Sequence, residues 1–154
     1  MAVGTFILYR ANLDDLRMQD LVGAVIKIAL VGSGYTPDAT NVGNSVWADV
    51  SASEIANGFG YTTGGATLVN DTVSTTTNGH KYDSDDPTWT ASGGSIPAWR
   101  YGVLYVSGAL WGKTNPLIGY FLGDTTPADV PATTNGNPLT LTVNAGGWFD
   151  LTEA

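Results

Sequence analysis

The stretch Ala98-Trp99-Arg100-Tyr101-Gly102-Val103-Leu104-Tyr105-Val106 carries the strongest strand pattern in the chain. One of its two alternating rows is mostly aromatic: Trp99, Tyr101, Val103 and Tyr105. Side chains alternate between the two faces of a strand, so a period of two in size and polarity indicates β structure. We predict a strand over residues 98–106, with its aromatic row near the centre of the core.

Weaker strand patterns surround this one. Residues 24–31 alternate so that an aliphatic row would be buried and Lys27 would lie on the other face. Further candidate strands are residues 66–70, 80–83, 88–91, 116–122, 139–143 and 147–151. The last two are predicted to form a hairpin through the turn Asn144-Ala145-Gly146. The only helical pattern covers residues 12–21, with Asn12 as its N-cap.

These patterns predict an all-β fold, an antiparallel β-sandwich or barrel of Ig-like or jelly-roll type. It would have one short N-terminal helix and long loops at residues 36–65 and 123–136. The chain of 154 residues, 43% of them hydrophobic, is long enough for one domain with a real core. We predict an apolar N-terminal arm at residues 1–12 and a single β domain at residues 13–154.

Charge and cysteine content exclude several classes of protein. The chain carries 14 acidic and 6 basic residues, a formal charge of -8, and its basic residues are scattered. Nucleic-acid binding needs clustered Lys and Arg, so we expect neither a nucleic-acid partner nor an anionic membrane surface.

The chain has no Cys, so it needs no oxidising compartment to fold. Its N-terminus lacks the basic region of a signal peptide, and no apolar run approaches the length of a membrane span.

Motifs for catalysis are missing from the sequence. His80 is the only His, which leaves one imidazole for any catalytic relay, and no nucleophile elbow or phosphate-binding loop occurs. Asp83, Asp85 and Asp86 could converge on Ca²⁺, but their surroundings do not match an EF-hand, and a solvated acidic turn is the favoured interpretation. We therefore expect a protein that is not an enzyme and holds no cofactor.

Two apolar features are candidates for partner binding. Phe6, Ile7, Leu8 and Tyr9 form an apolar segment with no hairpin partner beside it. Such a segment can pair within its own sheet, exchange between protomers, or add to the sheet edge of another protein. Trp111 follows the strongest strand, within the loop Ser107-Gly108-Ala109-Leu110-Trp111-Gly112-Lys113, where an exposed aromatic would contact a partner.

Seven segments of the chain are informative when they are taken together: Gly34-Tyr35-Thr36-Pro37-Asp38, Val46-Trp47-Ala48-Asp49-Val50-Ser51-Ala52-Ser53-Glu54-Ile55, Gly60-Tyr61-Thr62-Thr63-Gly64-Gly65, Trp89-Thr90-Ala91-Ser92-Gly93-Gly94, residues 98–105, Pro116-Leu117-Ile118-Gly119-Tyr120 and Gly146-Gly147-Trp148-Phe149-Asp150-Leu151. Together these segments resemble a family of small tailed-bacteriophage virion proteins. The resemblance spans roughly residues 13–151. It implies a capsid decoration (cement) protein or another structural protein of the virion, and it supplies no catalytic residues.

The resemblance leads us to expect a non-enzymatic virion protein, made in the host bacterial cytoplasm, that decorates the outer face of the assembled head. Its partner would be the major capsid protein, and a homo-oligomer such as a trimer would match the local symmetry of a capsid. The alternative is a carbohydrate- or receptor-binding module of a tail fibre or tail tip. Exposed Trp side chains and Asp- and Asn-rich loops would then contact sugar.

Overall fold

An antiparallel sheet of five strands lies at the centre of the protein, as seen in a computed structural model that describes residues 1–126 and 128–152. Twelve strands are present in the described residues: β1 (Ile7–Leu8), β2 (Ile26–Val31), β3 (Ala66–Thr67), β4 (Thr72–Thr76), β5 (Gly79–Asp83), β6 (Thr88–Thr90), β7 (Tyr101–Val106), β8 (Ala109–Leu110), β9 (Lys113–Thr114), β10 (Leu117–Leu122), β11 (Pro138–Thr140) and β12 (Phe149–Thr152). The central sheet has the order β1-β10-β7-β2-β3.

Three smaller antiparallel sheets complete the β structure. One contains β12-β5-β4, one contains β11-β6, and β8 and β9 form a separate hairpin. Strands account for 39% of the residues and helices for 9%. The prediction of an all-β fold with little helix is therefore confirmed, and the arrangement is consistent with a β-sandwich.

The first face of the central sheet packs against the smaller sheets. Ile28, Leu104 and Phe121 project from this face of the central sheet. They pack against side chains from the smaller sheets and their flanking residues, which include Trp89 and Trp148. All of these side chains are buried. Gly102 lies beneath the ring of Phe121, where a Cβ atom would come within 2.3 Å of that ring. The main core of the protein therefore lies between the central sheet and the smaller sheets.

The second face of the central sheet is covered by the long connection between β2 and β3. Tyr35, Trp47 and Val50 from this connection pack on Val31 and Val103, and all five are buried. Two short 3₁₀ helices, Trp47–Asp49 and Ser51–Ser53, give the connection a fixed path. The aliphatic row of β2 is buried and Lys27 lies on the other face, as predicted, but this second face is covered as well, because Lys27 is the only one of the six residues of β2 that is not fully buried.

The helical region differs from the prediction. A 3₁₀ helix at Arg10–Asn12 and a five-residue α-helix, α1 (Met18–Val22), replace the continuous helix predicted over residues 12–21. Asn12 is not an N-cap. Its side-chain amide is buried and donates to the backbone carbonyls of Ser45 (2.7 Å) and Leu117 (2.7 Å). Its Oδ1, the atom that would accept from a helix N–H, has no hydrogen-bond partner among the described residues, and α1 begins only at Met18, with Arg17 at its N-cap position.

Strand pairing corrects two further predictions. Residues 139–143 and 147–151 do not form a hairpin, because β11 pairs with β6 and β12 pairs with β5. Strand β7 begins at Tyr101, so Trp99 lies in the main core while Tyr101 and Tyr105 lie on the second face. The predicted aromatic row is therefore divided between the two faces.

Candidate partner-binding surfaces

The N-terminal segment forms an edge strand of its own domain. In β1, Ile7 is opposite Tyr120 and Leu8 is opposite Gly119 of β10. The backbone N–H of Tyr9 continues this ladder by donating to the carbonyl of Ile118 (3.1 Å). The structure thus places residues 1–12 within the domain rather than in an arm apart from it.

Three of the four apolar residues in this segment face the interior. Phe6 stacks on Phe149 with ring centroids 5.6 Å apart, and Leu8 packs against the main core. Tyr9 is buried, and its hydroxyl bonds to that of Tyr35 (2.7 Å). Ile7, with 43% of its surface exposed, is the member of the segment that remains open to a partner.

A groove of about 580 Å³ lies beside the outer edge of β1. Its lining includes Ile7, Leu8 and Arg10 on one side and Pro37 and Ala39 on the other. The backbone N–H and C=O groups of successive residues in a strand point in opposite directions. Those of Tyr9 point towards β10, so those of Leu8 point away from β10 and towards the groove. The two walls meet where the N–H of Arg10 donates to the carbonyl of Ala39 (3.3 Å). We call this feature the β1 groove.

Trp111 does not project freely into solvent. It forms with Gly112 the two-residue turn between β8 and β9, and both residues have positive φ, 53° and 70°. This pair of angles is that of a type I′ turn, which usually selects Asn or Gly. The indole is half-buried against the main core, and its Nε1–H donates to the Asp20 carboxylate (3.2 Å). The expectation of an exposed aromatic is therefore wrong, since Trp111 anchors its hairpin to α1.

The three carboxylates of the acidic turn are not brought together. Asp83 accepts a bond from the Lys81 ammonium (2.7 Å), and Asp85 accepts one from the side-chain amide of Asn70 (2.7 Å). Asp86 accepts one from the backbone N–H of Val143 (2.9 Å). Within residues 1–126 and 128–152, no three acidic or His side chains are grouped to hold a metal ion. These aspartates therefore act as hydrogen-bond acceptors that connect neighbouring segments.

His80 lies on β5 with Thr75 of β4 and Leu151 of β12 as its cross-strand neighbours. All three side chains are exposed, although the next residues on the same face, Tyr82 and Phe149, are buried. The sheet formed by β12, β5 and β4 therefore extends past the core by one set of cross-strand neighbours. Nothing in this row provides the carboxylate that would orient His80 as a general base.

Buried tyrosine hydroxyls are a prominent electrostatic feature. Burial raises the pKa of Tyr35 and of Tyr105 from the usual 10.0 to about 12. Burial also raises the pKa of Tyr9, Tyr61 and Tyr82 well above the usual value. The Tyr61 hydroxyl donates to the Glu54 carboxylate (2.7 Å), which also accepts from the N–H of Gly64 (2.6 Å). These hydroxyls bond to the segments packed beside them and stabilise those segments.

Phe59 is an exposed surface residue, a placement that the sequence patterns did not predict. It lies between Gly58 and Gly60, and all three residues have positive φ. Its side chain is 52% exposed. The pattern Gly58-Phe59-Gly60 could have predicted this exposure, because two glycines permit a tight turn in which the residue between them lies at the surface.

No family model, curated protein or solved structure matches this chain. In the part of the chain that the structure describes, no helix has the length and apolar character needed to cross a membrane.

Proposed function

We propose that the protein is a non-enzymatic structural component of a bacteriophage virion, a decoration protein that binds the outer face of the assembled head. The β1 groove is the observation that supports this proposal best. It combines an open sheet edge, outward backbone groups at Leu8 and the exposed side chain of Ile7.

Strand addition is the binding mode that this geometry favours. An extended segment of the major capsid protein would bond to the backbone of Leu8 and place apolar side chains against Ile7, Pro37 and Ala39. Backbone hydrogen bonds provide the affinity in such a complex, and the alternating side chains fix the register. Homo-oligomerisation, as a trimer for example, would add avidity to each modest contact.

Other properties of the chain agree with this role. The absence of Cys permits folding in a bacterial cytoplasm before assembly on the virion. The formal charge of -8 favours solubility and disfavours binding to packaged DNA. Both faces of the central sheet are covered, which makes a rigid module suited to reinforcing a shell.

Co-sedimentation with mature capsids of the virus that encodes the chain tests the proposal. Lys on an edge strand disfavours addition of another strand, so Ile7→Lys should abolish binding while the domain stays folded. Val69→Lys is the matched control, because Val69 is 58% exposed and follows β3 at the opposite edge of the same sheet. Equal binding of both variants would place the interface elsewhere, and no binding of the unmodified protein to capsids would overturn the decoration role.

A further inference from the structure

Three loops are joined by backbone hydrogen bonds beside Phe59. They comprise residues 56–63, 91–95 and 133–137, and we call their combined surface the Phe59 surface. The N–H of Ser92 donates to the carbonyl of Phe59 (3.2 Å), which joins the first loop to the second. The N–H of Gly136 donates to the carbonyl of Ala91 (2.7 Å), which joins the second loop to the third.

The backbone of Phe59 is held in an unfavourable conformation. Its φ of 54° lies in the left-handed region, which L residues with large side chains rarely adopt. The hydrogen bonds between Gly58 and Tyr61 in both directions, 2.8 and 3.0 Å, close this tight turn. Asn or Gly would satisfy the same backbone at lower conformational cost.

Burial does not compensate for this cost as it does at Trp111. The Phe59 ring lies on the backbone of Gly94, where a Cβ atom would come within 2.3 Å of the ring. About half of the residue remains exposed. Trp111 has a similar φ, but its indole packs on the core and bonds to Asp20. The isolated domain therefore gains little from an aromatic residue at position 59.

The chemistry around the ring narrows the class of ligand. None of the residues in the three loops is charged, although the chain as a whole carries 20 charged side chains, 14 acidic and 6 basic. Apart from Ala56 and Phe59, the exposed side chains are amides and hydroxyls: Asn57, Thr62, Thr63, Ser92, Ser95, Thr134, Asn135 and Asn137. Nucleic acids and other anions would need Lys or Arg here, and cations would need carboxylates.

We infer that the Phe59 surface binds a neutral saccharide. The apolar C–H face of a sugar ring would stack on the exposed face of Phe59, and its hydroxyls would exchange hydrogen bonds with the surrounding amides and hydroxyls. Gly94 keeps the ring flat against the surface so that a stacking face is available. None of the residues of this site lines the β1 groove, so sugar binding and capsid binding are separable by mutation.

A glycan array tests the inference. It should carry neutral oligosaccharides of glucose, galactose, mannose and N-acetylglucosamine, together with sialylated and uronic-acid glycans. The unmodified protein should bind at least one neutral glycan, and Phe59→Ala and Phe59→Asn should weaken that binding by about tenfold or more. Val69→Ala, at another exposed apolar position, should bind as the unmodified protein does.

Thermal unfolding of the same variants distinguishes a binding role from a structural one. Because Asn accepts a positive φ more readily than Phe, Phe59→Asn should unfold at the same temperature as the unmodified protein or a higher one. The inference is overturned if no neutral glycan binds, if only charged glycans bind, or if Phe59→Asn binds normally. A marked loss of thermal stability in Phe59→Asn would likewise overturn it, by showing that the ring serves the fold.

Discussion

The indole of Trp47 lies parallel to the phenol ring of Tyr105, with centroids 4.5 Å apart and an interplanar angle of 7°. The stack joins the long connection between β2 and β3 to the second face of the central sheet. The Tyr105 hydroxyl extends the attachment by donating to the carbonyl of Gly64 (2.8 Å). This connection therefore forms part of the structural core and carries short structure of its own in its two 3₁₀ helices.

Removal of the stacked indole should destabilise the whole domain. Trp47→Ala is expected to lower the free energy of unfolding by about 3 kcal/mol, the usual cost of deleting a buried aromatic side chain. Urea denaturation followed by circular dichroism measures the change. Val42→Ala, at a side chain 94% exposed in the same connection, should change it by less than about 0.5 kcal/mol. A similarly small loss in Trp47→Ala would show that the connection is not part of the cooperative unit.

The sequence predicted those elements whose side chains alternate between apolar and polar, or that are apolar throughout. Strands β2, β7 and β10 were found for this reason. Strand β4 was missed because its residues, Thr72–Thr76, include one aliphatic side chain, Val73, and offer no such pattern. Its pairing with β5 decides its structure instead.

The candidate sites were less predictable because they depend on contacts between distant residues. The Phe6 ring meets Phe149, a residue 143 positions away, and Trp111 meets Asp20 across 91 positions. Apolar composition identified both segments as features that need a partner. Whether that partner belongs to the same chain is decided by long-range packing, which the local pattern does not record.

Trp111 and Asp20 should be energetically coupled. Trp111→Phe removes the indole N–H, and Asp20→Ala removes its acceptor. A double-mutant cycle measured by urea denaturation should give a coupling energy of about 1 kcal/mol, because the bond is partly buried and its acceptor is charged. The control is Lys113→Ala. Lys113 lies in the same hairpin but forms its ion pair with Asp15, so its replacement should not couple with Asp20→Ala. Additive effects of Trp111→Phe and Asp20→Ala would show that packing alone anchors the hairpin.

Alkaline pH should unfold the protein through its buried tyrosines. The folded-state pKa of Tyr35 and Tyr105 is about 12, above the usual value of 10.0, and burial raises the pKa of four further tyrosines, Tyr9, Tyr61, Tyr82 and Tyr120. A raised folded-state pKa favours the protonated form in the native state. The resulting stability is therefore fully present below pH 10 and is lost as the pH rises through 12.

Absorbance of tyrosinate and far-ultraviolet circular dichroism, recorded together against pH, check this prediction. The buried tyrosines should ionise in the same cooperative step in which the β signal disappears. Tyr35→Phe should make the loss of stability with pH less steep, because one of these protons is removed from the linkage. Ionisation of all the tyrosines near pH 10 with the β signal intact would contradict the burial of their hydroxyls.

Chelation should leave the stability unchanged. The carboxylates of Asp83, Asp85 and Asp86 are bonded to three different donors and do not converge on one point. We therefore expect the thermal midpoint to be the same with and without EDTA. A lower midpoint in EDTA that returns on addition of Ca²⁺ would instead show that a bound ion stabilises the native state.

A covalent test can decide whether β1 pairs within its own domain in solution. The chain has no Cys, so the introduced thiols are the only ones present and form disulfides only within one chain or between copies of it. Ile7 and Tyr120 are directly opposite in the antiparallel ladder. Residues in such hydrogen-bonded pairs have Cα atoms about 5.5 Å apart, within the range that a disulfide spans.

The double variant Ile7→Cys/Tyr120→Cys should therefore oxidise to a monomer with no free thiol, visible as a single fast-migrating band on a non-reducing gel. Ile7→Cys/Val69→Cys is the matched control, because its thiols lie towards opposite edges of the central sheet and should not form the intramolecular bond. Covalent dimers or trimers in the first variant, formed at a protein concentration where the control stays monomeric, would show instead that β1 is exchanged between protomers. The packing of Phe6 on Phe149 and the burial of Tyr9 favour the monomer, because pairing within the chain covers these rings without the entropic cost of association.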